Sequence, residues 1–232
     1  MPPELSRLFQ EISVMALPVV FAITLHEAAH GFVANRCGDD SALRQGRVTF
    51  NPLRHIDPFG TIVLPLFLFF VSGGQFLFGY AKPVPVAYAK LRRPRRDMVL
   101  VAAAGPATNL VLALVSALLL FAVPLAPAVA AAWLARTLLA SVLINVILAV
   151  FNMIPLPPLD GGRVAVGLLP EALAAALART ERYGLLILLT LIVFLPIVGN
   201  SLGIDLNLVA YLLDRPVNWA MSAVHWMIGV QT

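Results

Sequence analysis

Residues 12–34 read ISVMALPVVFAITLHEAAHGFVA, an apolar run with His26, Glu27 and His30 set in its second half. At about 1.5 Å per residue this stretch makes a helix of roughly 34 Å, which matches a hydrocarbon core of about 30 Å. A fold containing it must therefore lay the run across a bilayer and still shelter three ionisable groups. Each costs on the order of 2.5 to 3.5 kcal/mol at the middle of a span, so a partner or a function has to accompany it.

Spacing points to the function. His26 and His30 are four apart, so on an α-helix their rings sit one turn apart on one face, while Glu27 is turned by about 100°. HEAAH is thus an H-E-x-x-H pattern, in which two histidines hold Zn²⁺ and the glutamate acts as base toward water that the ion acidifies. With 4 His in 232 residues, chance supplies the pattern only about 0.0015 times per chain. A buried hydrogen-bonded trio without metal is a poorer account, because an uncompensated carboxylate in hydrocarbon is expensive.

A composition of 60% hydrophobic and 12% charged residues, with a mean hydropathy of +0.89, is too apolar for a soluble core of this size. The chain reads as one membrane-embedded domain, 1–232, all-α and polytopic, with about five or six membrane segments. Residues 12–34 are too long for a signal h-region and hold the motif, so they are expected to stay. Cys37 is the single cysteine; it excludes an intrachain disulfide and reads as a small residue beyond the helix end. Lys82, Lys90, Arg92, Arg93, Arg95 and Arg96 form the densest positive run, a mark of a cytoplasmic loop. Lipid bilayer, rather than nucleic acid, is the expected partner of that charge.

Residues 35–57 are polar. Within them Arg47-Val48-Thr49-Phe50, bounded by Gly46 and Asn51-Pro52, reads as a short strand or hairpin near the active site, with an ordinary loop as the alternative. An exposed strand edge binds extended peptide by strand addition, which makes Val48 and Phe50 candidate substrate contacts. His55 and Asp57 read as loop residues at the membrane surface. Residues 58–81 are uncharged until Lys82 but are interrupted by Pro65, Gly73 and Gly74. Residues 98–122 form a span with a kink expected at Gly105-Pro106 and with Asn109 facing other helices. An uncharged loop, 123–132, falls on the far side, and 137–159 returns. Beyond it lie an interfacial helix over 165–182, a span over 184–204, and a last tilted or interfacial helix over 206–230. There Trp219 and Trp226 form an aromatic belt and His225 reads as an interface residue.

The returning span ends in NMIPLPPLDGGR. Pro155, Pro157 and Pro158 cannot sustain a helix, and open backbone at membrane depth is tolerated only beside protein or a water-filled cavity. Asp160 closes this segment, and Gly161-Gly162 let the backbone turn. Catalytic zinc usually keeps three protein ligands and one open position; Asp160, at the correct depth and side, supplies the third, with a helix-capping role as the alternative. Asn152 has an amide suited to a substrate carbonyl or its oxyanion, with a packing role as the alternative.

Together, HEAAH, AGPATN and FNMIPLPPLDGGR resemble, in order, the motifs of the site-2 protease family of zinc intramembrane proteases, over residues 12 to 165. The resemblance implies hydrolysis of peptide bonds within or near transmembrane segments of membrane protein substrates. It assigns one Zn²⁺ per chain to His26, His30 and Asp160, with Glu27 as general base and Asn152 as an aid to substrate binding. The chain resembles a short form, without space for PDZ or CBS domains, such as bacteria and archaea carry. That places it in a prokaryotic cell membrane with the active site toward the cytoplasm. For His26, His30 and Asp160 to meet, the first span must end on the basic side, which predicts that 58–81 enters and leaves on one face as a re-entrant or hairpin element, with a dip of 35–57 through the membrane as the alternative. Two other classes fit parts of the pattern. A transporter or metal channel would show internal repeats and paired broken helices, which are absent from the sequence. An inactive scaffold has no need of Glu27.

Overall fold

The computed structural model describes residues 3–71 and 79–229, with side chains from Phe9 onward. The first helix, α1 (Pro3–Arg36), runs through the whole HEAAH stretch. Its buried positions include Val14, Pro18, Ala22, His26, His30 and Ala34, a stripe spaced by four. Each step of four overshoots a 3.6-residue turn by about 40°, so neighbouring positions share a face while the stripe as a whole winds around the helix. Between and around the histidines it consists of small residues, and these let other backbones come close where lipid supplies no hydrophobic drive.

Two long helices pack on that stripe: α3 (Pro94–Leu119) and α4 (Ala128–Asn152). Between α1 and α3 comes the shorter apolar helix α2 (Pro58–Val71), and after α4 follow α5 (Asp160–Leu168), α6 (Glu171–Leu202) and α7 (Leu208–Met227). Helix α3 starts at Pro94, and Asp97 reaches back to accept from the Arg93 N–H at 2.8 Å, which satisfies a donor that helix geometry leaves free. Ala113 and Ala117 of α3, Leu138, Val142 and Val146 of α4, and Val224 of α7 form the main apolar core. Leu110, Val111, Leu114 and Leu118 of α3 point outward. Polar residues such as Thr24, Asn109, Ser116 and Asn145 are buried instead. Apolar outside and polar inside is the arrangement lipid imposes.

Four helices, Phe9–Arg36, Pro94–Leu125, Ala128–Asn152 and Glu171–Leu202, have the length and apolar character to cross a membrane. Helix α2 is shorter, and α7 continues through Asp214-Arg215-Pro216 without a break. The single helix expected over 165–182 is instead divided at Pro170, which starts a new helix; its second half continues into the span as α6.

No strand forms among the described residues, and 48–50 runs as a series of bends. The segment alongside it, 82–86, is KPVPV; Pro83 and Pro85 have no N–H to give a ladder, so a strand at 47–50 gains little pairing there. The expected re-entrant element falls partly on 72–78, outside the described residues. Its two ends meet: the Tyr80 N–H donates to Gly60 O at 3.0 Å, and the Lys82 N–H to His55 O at 2.9 Å. Farther along, Lys90 Nζ donates to Ser41 Oγ at 3.0 Å.

Candidate metal centre

Helix α1 presents His26 and His30 inward, and α5 presents Asp160 from its first turn. His26 Nε2 and His30 Nε2 are 3.1 Å apart, and Asp160 Oδ2 lies 3.2 Å and 3.4 Å from them. Three donor atoms 2.0 to 2.1 Å from a tetrahedral zinc are about 3.3 Å from one another. The triangle fits the ion.

The tautomers agree. His30 Nδ1 is 2.7 Å from Val101 O, which can only accept, so the proton sits on Nδ1 and Nε2 offers a lone pair. His26 Nδ1 is 2.6 Å from Asn109 Oδ1. The Asn109 amide is oriented by its own donations from Nδ2 to Asn145 Oδ1 at 2.8 Å and Ala22 O at 3.3 Å, so Oδ1 accepts from His26. Asn145 in turn donates to Ser141 O at 2.8 Å. Two imidazole lone pairs and a carboxylate oxygen with no hydrogen-bond partner thus face one point. Without a cation there, the three would repel.

Glycines make room for this centre. A Cβ on Gly105 of α3 would stand 2.5 Å from His26 Cε1 and from His30 Nε2, so only glycine lets α3 cross over both rings. The helix is continuous through Pro106, where the sequence suggested a kink, and Gly105 serves the close approach of α3 to the rings. Gly161 and Gly162 likewise do not turn the chain, since neither has positive φ; a Cβ on either would strike the backbone of 153–157, on which the start of α5 rests. Asp160 does not cap α5. Leu159 holds the cap position and no side chain caps there.

The remaining candidates divide. Glu27, half-buried, is not one of the three grouped donors, and its Oε2 accepts from the Val84 N–H at 2.9 Å. Asn152 ends α4, and its Nδ2 donates to Leu148 O at 3.0 Å. Val48 packs against α1 at Gly31, whereas Phe50 is 77% exposed. His55 is buried and donates from Nε2 to Thr49 O at 3.1 Å; Asp57 caps α2 by accepting from the Gly60 N–H at 2.7 Å. Neither joins a metal cluster; among the described residues His26, His30 and Asp160 form the one such group. The sequence reading missed Asn145, Val101, Asp39 and Arg47. Asp39 and Arg47 are charged residues buried just past the end of α1.

The profile of peptidase family M50 matches residues 14–131 and 122–195. "Putative zinc metalloprotease YwhC" of Bacillus subtilis is 38% identical over 194 residues, 80% of this chain and 84% of that protein. "Putative zinc metalloprotease Rip2" of Mycolicibacterium smegmatis is 33% identical over 75% of this chain and 64% of its own length. That of Mycobacterium tuberculosis strain H37Rv is 34% identical over 73% and 62%. No solved structure matches. With the three motifs gathered at one buried centre in a bundle of membrane-length helices, the chain belongs to peptidase family M50, the site-2 protease family of zinc metalloproteases.

Proposed function

We propose that the protein is an intramembrane zinc endopeptidase that hydrolyses peptide bonds within or near transmembrane segments of other membrane proteins. The observation that carries this reading is the 3.1 to 3.4 Å donor triangle of His26, His30 and Asp160, inside the bundle and beside Glu27. One zinc per chain would be held there, where it supplies Lewis acidity to the peptide carbonyl and acidifies water. Asn109 and Val101 O keep both imidazoles in the ligating tautomer and orientation. Glu27 accepts a proton from the attacking water as its oxygen bonds to the carbonyl carbon. The C–N bond then breaks, and the same proton passes to the leaving amine.

Asn152 is placed in this scheme as a donor to the substrate carbonyl, and the bend at Val48 and Phe50 as a contact for extended substrate. An apolar groove of about 320 Å³ lined by Pro106, Ala149, Met153, Pro155 and Leu212, next to Gly105, supports an approach of the substrate from the lipid side. The meeting of residues 79–82 with 55–61 supports a re-entrant 58–81, and the basic run 82–96 supports a site facing the cytoplasm. Glu27→Gln is the deciding variant: it keeps one zinc per chain and abolishes cleavage of a transmembrane peptide. Cleavage by that variant, or zinc lost along with activity, overturns the assignment. In parallel, Asp160→Ala loses zinc, while Asn152→Ala keeps zinc and turns over more slowly.

A further inference from the structure

Among the described residues, no other side chain holds the catalytic carboxylate. Glu27 Oε2 accepts from the backbone N–H of Val84, in a segment that is neither helix nor strand. Residues 83–85 are Pro-Val-Pro, so Val84 has the one N–H of the three. Each residue that precedes a proline is pushed toward extended backbone, which keeps this donor from being lost to a helical turn.

The strap is moored on both sides of Val84. Upstream, Arg47 is 7% exposed, and its Nη2 donates to Lys82 O at 2.7 Å and to Pro83 O at 3.4 Å. Downstream, Asp39, fully buried, accepts from the Ala87 N–H at 2.6 Å. Between them the Val84 side chain is buried at the notch of Gly31, where an added Cβ would lie 3.2 Å from Val84 Cγ1 and 2.8 Å from Val48 Cγ2. A guanidinium buried this far from water is costly unless it is used, and here it is used to fix two main-chain carbonyls.

From this geometry we infer that Arg47 is a positioning residue for the reaction: it holds the strap so that the Val84 N–H fixes the Glu27 carboxylate beside the metal centre. The inference rests on the reading of Glu27 as general base. A misplacement of about 1 Å costs on the order of 10²-fold in rate. Arg47→Met is therefore expected to keep one zinc per chain and its KM for a transmembrane peptide within about twofold, with kcat reduced about 10²-fold. Arg47→Lys, with a point charge in place of the planar fork, restores part of the rate.

A second readout needs no turnover. In zinc-free, ¹⁵N-valine-labelled protein, the Val84 amide resonance, identified by its absence from Val84→Ala, moves upfield in Glu27→Ala and in Arg47→Met. Should Arg47→Met fail to fold, a backbone ester replacing only the Val84 N–H gives the same loss of kcat with zinc retained. A Val84 resonance unchanged in Glu27→Ala, wild-type kcat in Arg47→Met or in the ester, or zinc lost from Arg47→Met overturns the inference. If Glu27→Gln still cleaves, the reading of the base itself has failed; if Glu27→Gln is inert and Arg47→Met is not impaired, only the positioning role has.

Discussion

Two residues outside the candidate ligand set bear on the proposed metal site. Asn109→Ala removes the acceptor at His26 Nδ1 and frees the ring to rotate, so zinc affinity is expected to fall about 10- to 100-fold in competition with a chelator of known strength. Gly105→Ala puts a methyl group into both imidazoles, and zinc measured by mass spectrometry should drop to near zero while the chain still enters membranes. That His26 and His30 meet was legible because one helix carries both and their spacing alone aligns them. Asp160 was legible because its depth and side left no rival carboxylate. Asn109 could be read as inward-facing but not as the partner of His26, since the contact joins residues 83 apart. The Val101 carbonyl leaves no mark in a sequence at all, and any residue type could have supplied it.

At the scale of elements, the apolar stretches predicted the long helices but not all their bounds: the return span expected over 137–159 runs Ala128–Asn152, starting after Pro127, and the span expected from 184 belongs to a helix that begins at Glu171, after Pro170. The strand at 47–50 failed to form because alternation is a local signal, whereas a ladder needs a donor-bearing neighbour and the adjacent strap is proline-rich. The strap is held partly by Asp39. Burial raises the pKa of its carboxyl, but donation from the Ser41 hydroxyl and from the Ala87 and Ser41 N–H groups, with the Lys90 charge nearby, leaves it below the usual carboxylate range. A depressed folded-state pKa contributes stability that is present above the unfolded value near 3.9 and lost as pH falls through the folded value. Asp39→Asn should therefore unfold at lower temperature than wild type above about pH 4, and the gap should close in more acidic detergent solution. By contrast, the Arg163–Glu181 pair joining α5 to the region of α6, at 2.5 Å but partly solvated, should cost no more than about 1 kcal/mol when Glu181 becomes Gln.

Taken whole, the molecule makes a prediction about sidedness. Ser41 touches Lys90, so the loop after α1 and the basic run before α3 share one face. Asp40→Cys and Lys90→Cys, each on a Cys37→Ala background, should take up an impermeant maleimide from the same side; labelling from opposite sides rules out a re-entrant 58–81. The bundle also dictates an order in time. Helix α1 leaves the ribosome first, carrying His26, Glu27 and His30, but the acceptor for His30 follows 71 residues later and that for His26 follows 83 residues later. At ~5–20 residues per second, His26 waits roughly 4 to 17 s for its partner, and Asp160 arrives later still. Through that interval the first span must be sheltered by the insertion machinery or rest at the bilayer surface. Biogenesis of this protein is thus a problem of delayed rescue, in which the segment that defines the enzyme is the one least able to enter lipid alone.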